Sequence, residues 1–177
     1  MLAAATPRAM PIRATRRVSR SHCSSSPAPM RQPTVIYWDC IELTLDDSQV
    51  DFVADNKQSL VEAAYEDGLY VLGIYKGDTM VGFVLYDYDE SFPGWSMSRF
   101  MIGKQFQGKG YGKQAVNAFL EYFKEQHNAE KLFISVSLEN VVARKMYSDI
   151  GFKEIKEVEY IFLGRQFKEM QMVIDLK

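Results

Sequence analysis

Three glycines at alternating positions, Gly108, Gly110 and Gly112, mark the stretch of this sequence best suited to chemistry. An apolar run that suits a buried strand, 100–102, precedes them, and apolar residues at helical spacing follow over 111–125. The unpaired N–H groups in the first turn of a helix attract an anion, and glycines let phosphate oxygens approach the backbone closely. The spacing therefore predicts a pyrophosphate-binding loop at the start of a helix.

Two other phosphate-binding motifs fit this stretch poorly. A Walker loop needs Ser or Thr after its Gly-Lys pair, whereas Gln114 follows Gly112 and Lys113 here. A dinucleotide-binding fold places Gly-x-Gly-x-x-Gly near the start of a βαβ unit, but this Gly-x-Gly-x-Gly lies two-thirds of the way along the chain. A glycine-rich turn without a ligand is the plain alternative.

A second motif follows this glycine loop, which we define as residues 107–112. The glycine loop resembles the acetyl-CoA motif of the GNAT family of N-acetyltransferases, and residues 140–152 resemble that family's Asn-x-x-Ala-x-x-x-Tyr-x-x-x-Gly-Phe. Both motifs occur in the family's order, and the resemblance covers about residues 38–177. Strings at 51–56 and 98–113 are similar to those of bacterial spermidine and diamine acetyltransferases, although other amine acetyltransferases partly share them.

The resemblance implies an α/β fold, with a single mixed, mostly antiparallel sheet that is flanked by helices and splayed at the acetyl-CoA site. Hydrophobic periodicity predicts elements compatible with this fold. The predicted strands are 70–75, 80–87, 96–103, 131–137, 153–160 and 169–176, and the predicted helices are a pair between 38 and 64, then 111–125 and 140–149. Pro33 obscures the family's first strand, which belongs near residues 31–36.

The resemblance also implies roles for single residues. Tyr147 is the general acid that protonates the departing thiolate, with ring packing as its plain alternative, and a backbone N–H of Met101 or Ile102 stabilises the oxyanion. Asn140 binds the pantetheine arm of CoA, and it equally suits the N-cap of the following helix. The implied acetyl-CoA-binding residues of the loop are Gln107, Gly108, Lys109, Gly110, Tyr111, Gly112 and Lys113. Lys113, Arg144 and Lys145 either pair with CoA phosphates or lie on solvated helix faces.

The acceptor side carries a weaker signal. A primary ammonium with a pKa of about 10.4 must lose a proton before it attacks a thioester, so the site needs a base or a water-connected carboxylate. Candidate carboxylates, some interleaved with aromatic residues in a mixture suited to an aliphatic polyamine, are Glu66, Asp67, Asp87, Asp89 and Glu90. Acidic loops are often merely solvated, and Ser98 stands where some polyamine acetyltransferases have a glutamate, so the base is not identified.

The first 33 residues differ in composition from the remainder. They contain six arginines, five serines and no acidic residue, which is typical of an organellar transit peptide; a disordered tail, or a true start at Met30, is the alternative. Residues 34–177 contain 15 Lys and Arg and 23 Asp and Glu, a net charge of 15 − 23 = −8. We predict a leader over 1–33 and an N-acetyltransferase domain over 34–177, in a chloroplast or mitochondrion if the leader is a transit peptide and otherwise in the cytoplasm.

Composition also excludes several classes of partner. No apolar run approaches the roughly 18 residues of a membrane helix, and the negative charge disfavours nucleic acid while attracting cations. Cys23 and Cys40 lack metal-ligand spacing, so we predict no metal, and Cys40 suits a small packing residue. A homodimer and a monomer both stay open.

Three functions remain in competition. The first is acetyl-CoA-dependent acetylation of a small-molecule amine, a polyamine such as spermidine or a diamine, by direct transfer. The second is the same chemistry on a protein amine or an aminoglycoside-like drug, and the third is a non-catalytic acyl-CoA-binding module. Tyr147 beside an intact glycine loop argues against the third, because binding alone needs no acid.

Overall fold

One seven-stranded sheet and four α-helices make up the described part of the chain, which in this computed structural model comprises residues 30–31, 37–90, 92, 94–162 and 164–177. The strands are β1 (Met30–Arg31), β2 (Tyr70–Lys76), β3 (Thr79–Asp89), β4 (Gly94–Ile102), β5 (Lys131–Ser137), β6 (Lys153–Phe162) and β7 (Arg165–Asp175). The helices are α1 (Tyr37–Glu42), α2 (Asn56–Tyr65), α3 (Tyr111–Gln126) and α4 (Val141–Ile150), with short 3-10 helices at Asp47–Gln49 and Lys104–Phe106.

The sheet is mixed and mostly antiparallel, as the sequence predicts. Its spatial order is β1-β2-β3-β4-β5-β7-β6, and β4 with β5 is its parallel pair. These two strands are paired at a single position, Ser96 with Phe133, so they diverge toward Ile102 and Ser137. The predicted splay is therefore confirmed, and it lies in the middle of the sheet.

A β-bulge in β4 lies where this divergence begins. Leu85 pairs with Arg99, but the next pair is Asp87 with Ser96, so two steps along β3 match three along β4. The extra residue lies within the Met97–Ser98 stretch. Bulges bend a strand and change the direction of its side chains, which explains how β4 leaves β5 at this point.

Helices cover both faces of the sheet. On one face α3 buries Val116, Phe119 and Phe123 against strand residues such as Val84 and Ile134. On the other face Cys40 and Leu43 pack on Phe83, Leu85 and Met101. Each buried Phe or Leu side chain contributes about 1.5 to 3 kcal/mol of hydrophobic free energy. Burial raises the pKa of the Cys40 thiol to about 12, and Asp55 adds to this effect, so the predicted packing role of Cys40 is confirmed.

The predicted helical pair between 38 and 64 is interrupted. Its helices are α1 and α2, and Leu45, Val50 and Val53 lie outside both of them. The cause is local capping, because the side chain of Asp46 caps the 3-10 helix and the Asp55 carboxylate accepts a bond of 2.6 Å from the Lys57 N–H, which starts α2. The spacing of apolar residues alone did not reveal that a 3-10 helix and α2 each begin at their own capping residue.

The edge of the sheet reaches into the segment predicted as a leader. Met30 pairs with Ile74, and Arg31 with Gly73. The remainder of that segment, 1–29 and 32–33, lies outside the described residues. None of the described helices is both long enough and apolar enough to cross a membrane. Within the same residues, no group of three or more His, Cys, Asp or Glu side chains is arranged to hold a metal ion.

Candidate active site

A cavity of about 410 Å³ occupies the splay between β4 and β5. One part of its lining comes from the glycine loop and the start of α3, and another from the segment that joins α1 to α2. The remainder comes from residues 97–102 of β4, 134–136 of β5 and α4. The site thus combines residues from distant parts of the chain.

The glycine loop has the geometry of an anion site. Gly108 has a φ of +70° and Gly110 a φ of +77°, a left-handed conformation that favours glycine. Gly110 is the N-cap of α3, and no side chain in the described part of the chain caps this helix start. The first-turn N–H groups therefore lack a side-chain partner, and the helix dipole adds a positive potential. These features fit the pyrophosphate of acetyl-CoA.

The three glycines do not share one role. A Cβ on Gly108 would meet nothing within 4 Å, and one on Gly110 would meet only Gln114 Nε2, at 3.7 Å, so both leave room for a ligand. A Cβ on Gly112 would lie 3.0 Å from the Met146 sulfur. Gly112 therefore lets α3 pack closely on α4, which carries Tyr147.

The candidate cations separate by their partners. Lys113 lines the cavity, with its Nζ 3.5 Å from the carbonyl oxygen of Asp149. Arg144 pairs with Glu154 at 2.7 Å and Lys145 with Asp149 at 3.0 Å, and neither cation is among the described residues that line the cavity. Lys109 donates to the Gln105 carbonyl at 2.8 Å. The geometry favours Lys113 as the side chain that meets a CoA phosphate.

Gln107 connects three elements of the cavity lining. Its Nε2 donates to the Ile102 carbonyl at 2.8 Å and to Gln49 Oε1 at 2.9 Å. Gln49 belongs to the 3-10 helix before α2, and both glutamines line the cavity. The glutamine of the motif therefore links the glycine loop to β4 and to the segment between α1 and α2.

The register of β3 and β4 decides which N–H groups of β4 face the splay. Gly103 donates to the Val81 carbonyl at 2.9 Å, and hydrogen-bonding direction alternates along an antiparallel pair. Met101 therefore points its N–H toward β3, while Ile102 points its own into the splay. The N–H of Phe100, a residue that was not predicted as an oxyanion donor, also faces the splay. Of the two predicted donors, the register favours Ile102.

Tyr147 lies on α4 with only 6 % of its surface exposed, and it lines the cavity. Its ring makes edge contacts with Phe100, at 6.5 Å between centroids, and with Phe152, at 5.5 Å. Burial raises the pKa of the Tyr147 hydroxyl, which keeps the proton in place at neutral pH. The residue thus packs α4 on the sheet, and its role as the general acid stays a prediction.

Asn140 is the N-cap of α4, as predicted. Its Oδ1 accepts a bond of 3.1 Å from the Ala143 N–H, which holds the start of the helix that carries Tyr147. Asn140 also lines the cavity. Contact of its amide with the pantetheine arm stays a prediction.

Part of the cavity lining consists of residues that the sequence did not identify as site residues. They are Leu45, Gln49, Phe52, Val53, Ser98 and Arg99. Buried Asn56 holds the segment between α1 and α2, because its Nδ2 donates to the carbonyls of Cys40 at 2.7 Å and Leu43 at 3.3 Å. The available signals were the 51–56 string, which includes Phe52 and Val53, and the 98–113 string, which includes Ser98 and Arg99.

The predicted acceptor carboxylates lie elsewhere. None of Glu66, Asp67, Asp87, Asp89 and Glu90 is among the described residues that line the cavity. Glu66 is the exposed C-cap of α2, and Asp89 and Glu90 lie where β3 ends. Asp87 contacts the lining through a hydrogen bond that it accepts from Ser98 Oγ. The sequence shows where each charge lies along the chain but not which way its side chain points, so it could not separate these five.

Carboxylates lie one contact behind the cavity wall. Asp87 is bonded by Ser98, Glu169 by Ser135, and Glu62 forms an ion pair with Arg99 at 2.6 Å. Burial raises the pKa of Asp87, and the neighbouring Asp89 adds to this, while the Ser98 bond and the Arg99 charge act in the opposite direction. The polar side chains of the wall at Ser98, Arg99 and Ser135 are therefore each backed by a carboxylate.

Comparison with known proteins agrees with this geometry. Residues 34–152 match the acetyltransferase (GNAT) family. The spermine/spermidine N(1)-acetyltransferase of Bacillus subtilis (strain 168) is 26% identical over 127 residues, which cover 68% of this chain and 83% of that protein.

Two solved structures share the fold. The spermidine N-acetyltransferase of Vibrio cholerae, in complex with CoA and spermine, superposes with a TM-score of 0.66 at 17% identity, over 86% of this chain and 97% of the other. The aminoglycoside N(6')acetyltransferase of Legionella pneumophila has the same TM-score at 14% identity, over 86% and 94%.

Proposed function

Because this chain belongs to the acetyltransferase (GNAT) family and is an N-acetyltransferase, we propose that it transfers the acetyl group of acetyl-CoA to a polyamine, with spermidine as the first candidate. The observation that carries the proposal is the acceptor side of the cavity lining. Leu45, Phe52 and Val53 offer apolar surface there, and the carboxylates of Asp87, Glu62 and Glu169 lie directly behind the wall. In a polyamine, methylene groups alternate with ammonium groups. The methylene groups suit the apolar surface, and the ammonium groups suit the carboxylates.

Charge and similarity support the same acceptor. The net charge of −8 over residues 34–177 attracts cations at long range. The Bacillus subtilis relative is named for spermine and spermidine. Likeness to the aminoglycoside enzyme is at 14% identity and concerns the fold alone.

For the donor side we propose that acetyl-CoA binds along the glycine loop and the diverging strand β4. Its pyrophosphate would meet the backbone of Gly108 to Lys113, and the N–H groups of Ile102 and Phe100 would face the thioester carbonyl. Tyr147 would give its hydroxyl proton to the sulfur as the C–S bond breaks. The two substrates would thus meet at the splay for direct transfer.

One observation favours a second candidate, a peptide amine. Arg99 Nη1 is buried and has no hydrogen-bond partner among the described residues, and Arg99 lines the cavity. A carbonyl oxygen of a peptide acceptor would satisfy this donor, whereas spermidine has no such oxygen. A direct comparison of acceptors therefore decides between the two.

The test is a thiol-release assay with acetyl-CoA and a panel of spermidine, spermine, putrescine, a lysine peptide and an aminoglycoside. We expect spermidine or spermine to have the highest kcat/KM, by about tenfold or more over the peptide, which corresponds to about 1.4 kcal/mol. A higher kcat/KM for the lysine peptide would overturn the polyamine proposal in favour of the second candidate. No spermidine turnover beside rapid aminoglycoside turnover would contradict both.

A pair of variants separates acceptor binding from donor binding in the same assay. Phe52→Ala should raise the KM for spermidine while leaving the affinity for acetyl-CoA unchanged. Val142→Ala, which truncates an apolar side chain of the wall at the start of α4, is the matched control and should not raise the KM for spermidine. An equal KM for spermidine in wild type and Phe52→Ala would place the acceptor elsewhere.

A further inference from the structure

A serine and a carboxylate form a connected pair at the cavity wall beside the β4 bulge. Ser98 is exposed and lines the cavity, while Asp87 on β3 is half-buried behind it. Ser98 Oγ donates a hydrogen bond to Asp87 Oδ1 across the two strands. The bulge of β4 at Met97–Ser98 lies opposite Asp87, which explains how these side chains meet although Asp87 pairs with Ser96.

The surroundings of Asp87 suit a proton acceptor. The titratable and charged groups near it are Asp89 on β3, Arg99 on β4 and, through Arg99, Glu62 on α2. Burial is the largest influence, and it raises the pKa of Asp87, which makes the carboxylate a stronger base. The hydroxyl of Ser98 is the group that carries this basicity to the cavity.

A second serine and carboxylate, Ser135 and Glu169, lie across the splay on β5 and β7. There Glu169 also accepts a hydrogen bond from Tyr160, so its lone pairs are shared between two donors. Ser98, in contrast, is two residues from Phe100 on the strand whose N–H groups face the splay. The β4 pair is therefore the better placed of the two.

We propose that Ser98 and Asp87 remove the proton from the substrate ammonium, with Ser98 as the group that touches the amine and Asp87 as its positioning residue. This inference rests on the proposed function only in requiring an amine acceptor. An N–H bond of the ammonium breaks as its proton passes to Ser98 Oγ, and the hydroxyl proton of Ser98 passes to Asp87, which becomes a neutral carboxylic acid.

The remaining steps balance the reaction. The freed electron pair of nitrogen forms the C–N bond to the acetyl carbon, the C–S bond breaks, and the sulfur takes the proton of Tyr147. The phenolate of Tyr147 regains a proton from the acylated nitrogen, and Asp87 releases its proton to solvent. The sum is an amide, a thiol and one proton from an ammonium and a thioester.

Arg99 contributes to the same step by its charge. Arg99 lines the cavity next to Ser98 in the chain, its charge acts on Asp87, and its guanidinium is held by Glu62 at 2.6 Å. A nearby positive charge lowers the pKa of the reacting ammonium, so less free energy is needed to transfer its proton. The other ammonium groups of a polyamine need not approach this position.

The test is the pH dependence of kcat/KM in Asp87→Asn and Ser98→Ala, measured with the amine of the panel that has the highest turnover. Wild type should be nearly independent of pH between the pKa of Asp87 and that of the amine. Without the pair only the neutral amine reacts, so kcat/KM of either variant should rise by about tenfold per pH unit toward the amine pKa of about 10.4. Near pH 7.5 the loss should be on the order of 10²-fold.

Three comparisons keep the test decisive. Asp175→Asn, which removes a strand carboxylate paired with Lys153 outside the cavity, should keep the wild-type profile. The double variant Asp87→Asn with Ser98→Ala should lose no more than either single variant, because the two residues act as a unit. If Asp87→Asn unfolds, as a thermal melt would reveal, the small change Ser98→Ala carries the test.

The contrary results are equally clear. A loss of the same factor at every pH would make the pair merely structural, and an unchanged profile in Ser98→Ala would overturn the proposal. A pH slope in Ser135→Ala but not in Ser98→Ala would transfer the role to β5. Failure of the polyamine proposal appears in the acceptor panel instead, so the two failures are distinguishable.

Discussion

Single residues in this site each combine a packing role with a chemical one. Tyr147 is buried against Phe100 and Phe152, and it also lines the cavity. Asn140 caps α4 and lines the same cavity. A substitution that preserves shape is therefore needed to isolate the chemistry.

Replacing Tyr147 by Phe removes only the hydroxyl. Because the ring and its edge contacts remain, we expect an unchanged fold and unchanged acetyl-CoA affinity. Turnover should fall on the order of 10²-fold if the hydroxyl is the general acid. Steady-state kinetics and calorimetry with acetyl-CoA check this. A wild-type rate in the variant would restrict Tyr147 to packing and place the acid elsewhere.

At the scale of elements, the site depends on how three local structures start. Gly110 begins α3, Asn140 begins α4, and the bulge in β4 begins the splay. Gln107, just before α3, donates hydrogen bonds to the Ile102 carbonyl at the end of β4 and to Gln49 in the segment before α2. One side chain therefore joins the glycine loop to two other elements of the cavity lining.

Gly110→Val should weaken acetyl-CoA binding severely, because a β-branched side chain both strains the left-handed backbone and blocks the approach of the phosphates. Gly164→Val is the matched control. Gly164 has a φ of +76° against +77° at Gly110, and it lies in the turn between β6 and β7. Calorimetry should show a loss of affinity of tenfold or more, about 1.4 kcal/mol, for Gly110→Val only.

The two variants should lose similar thermal stability, since both force valine into the same backbone region. Unchanged acetyl-CoA affinity in Gly110→Val would remove the glycine loop from the donor site. An equal loss of affinity in both variants would mean that general destabilisation, rather than blocked approach, is responsible.

At the scale of the whole molecule, one sheet edge and the charge distribution matter most. The strand β1 covers β2 with two residues, Met30 and Arg31. Residues 1–33 carry a net charge of +6, from six arginines and no acidic residue, and 34–177 carries a net charge of −8. We propose that the residues before Met30 act as a targeting leader for an organelle and take no part in turnover.

A chain that begins at Met30 should therefore fold and turn over as the full chain does. A chain that begins at Tyr37 lacks β1 and leaves the edge of β2 unpaired, so its melting temperature should fall by about 2 to 4 °C for each 1 kcal/mol lost. Thermal melts and the thiol-release assay on the three chains check this. Loss of activity in the chain from Met30 would show that residues 1–29 contribute to the folded enzyme.

The sequence by itself determined the features that depend on local rules. Helical spacing located α3 and α4, Asn140 was recognised as a cap, and the alternating glycines predicted the turn that starts α3, because each follows from neighbours within a few residues. The family resemblance supplied the splayed sheet and the place of Tyr147.

Only the tertiary structure decided which distant residues meet. The β3–β4 register separates Ile102 from Met101, the bulge brings Ser98 to Asp87, and the close approach of α3 and α4 assigns Gly112 to packing. The acceptor wall combines residues 45–53 with β4 and β5, which are far apart in the chain. Such contacts are set by strand pairing and helix packing. A one-residue shift in the register of a strand would point each of its side chains to the other face of the sheet.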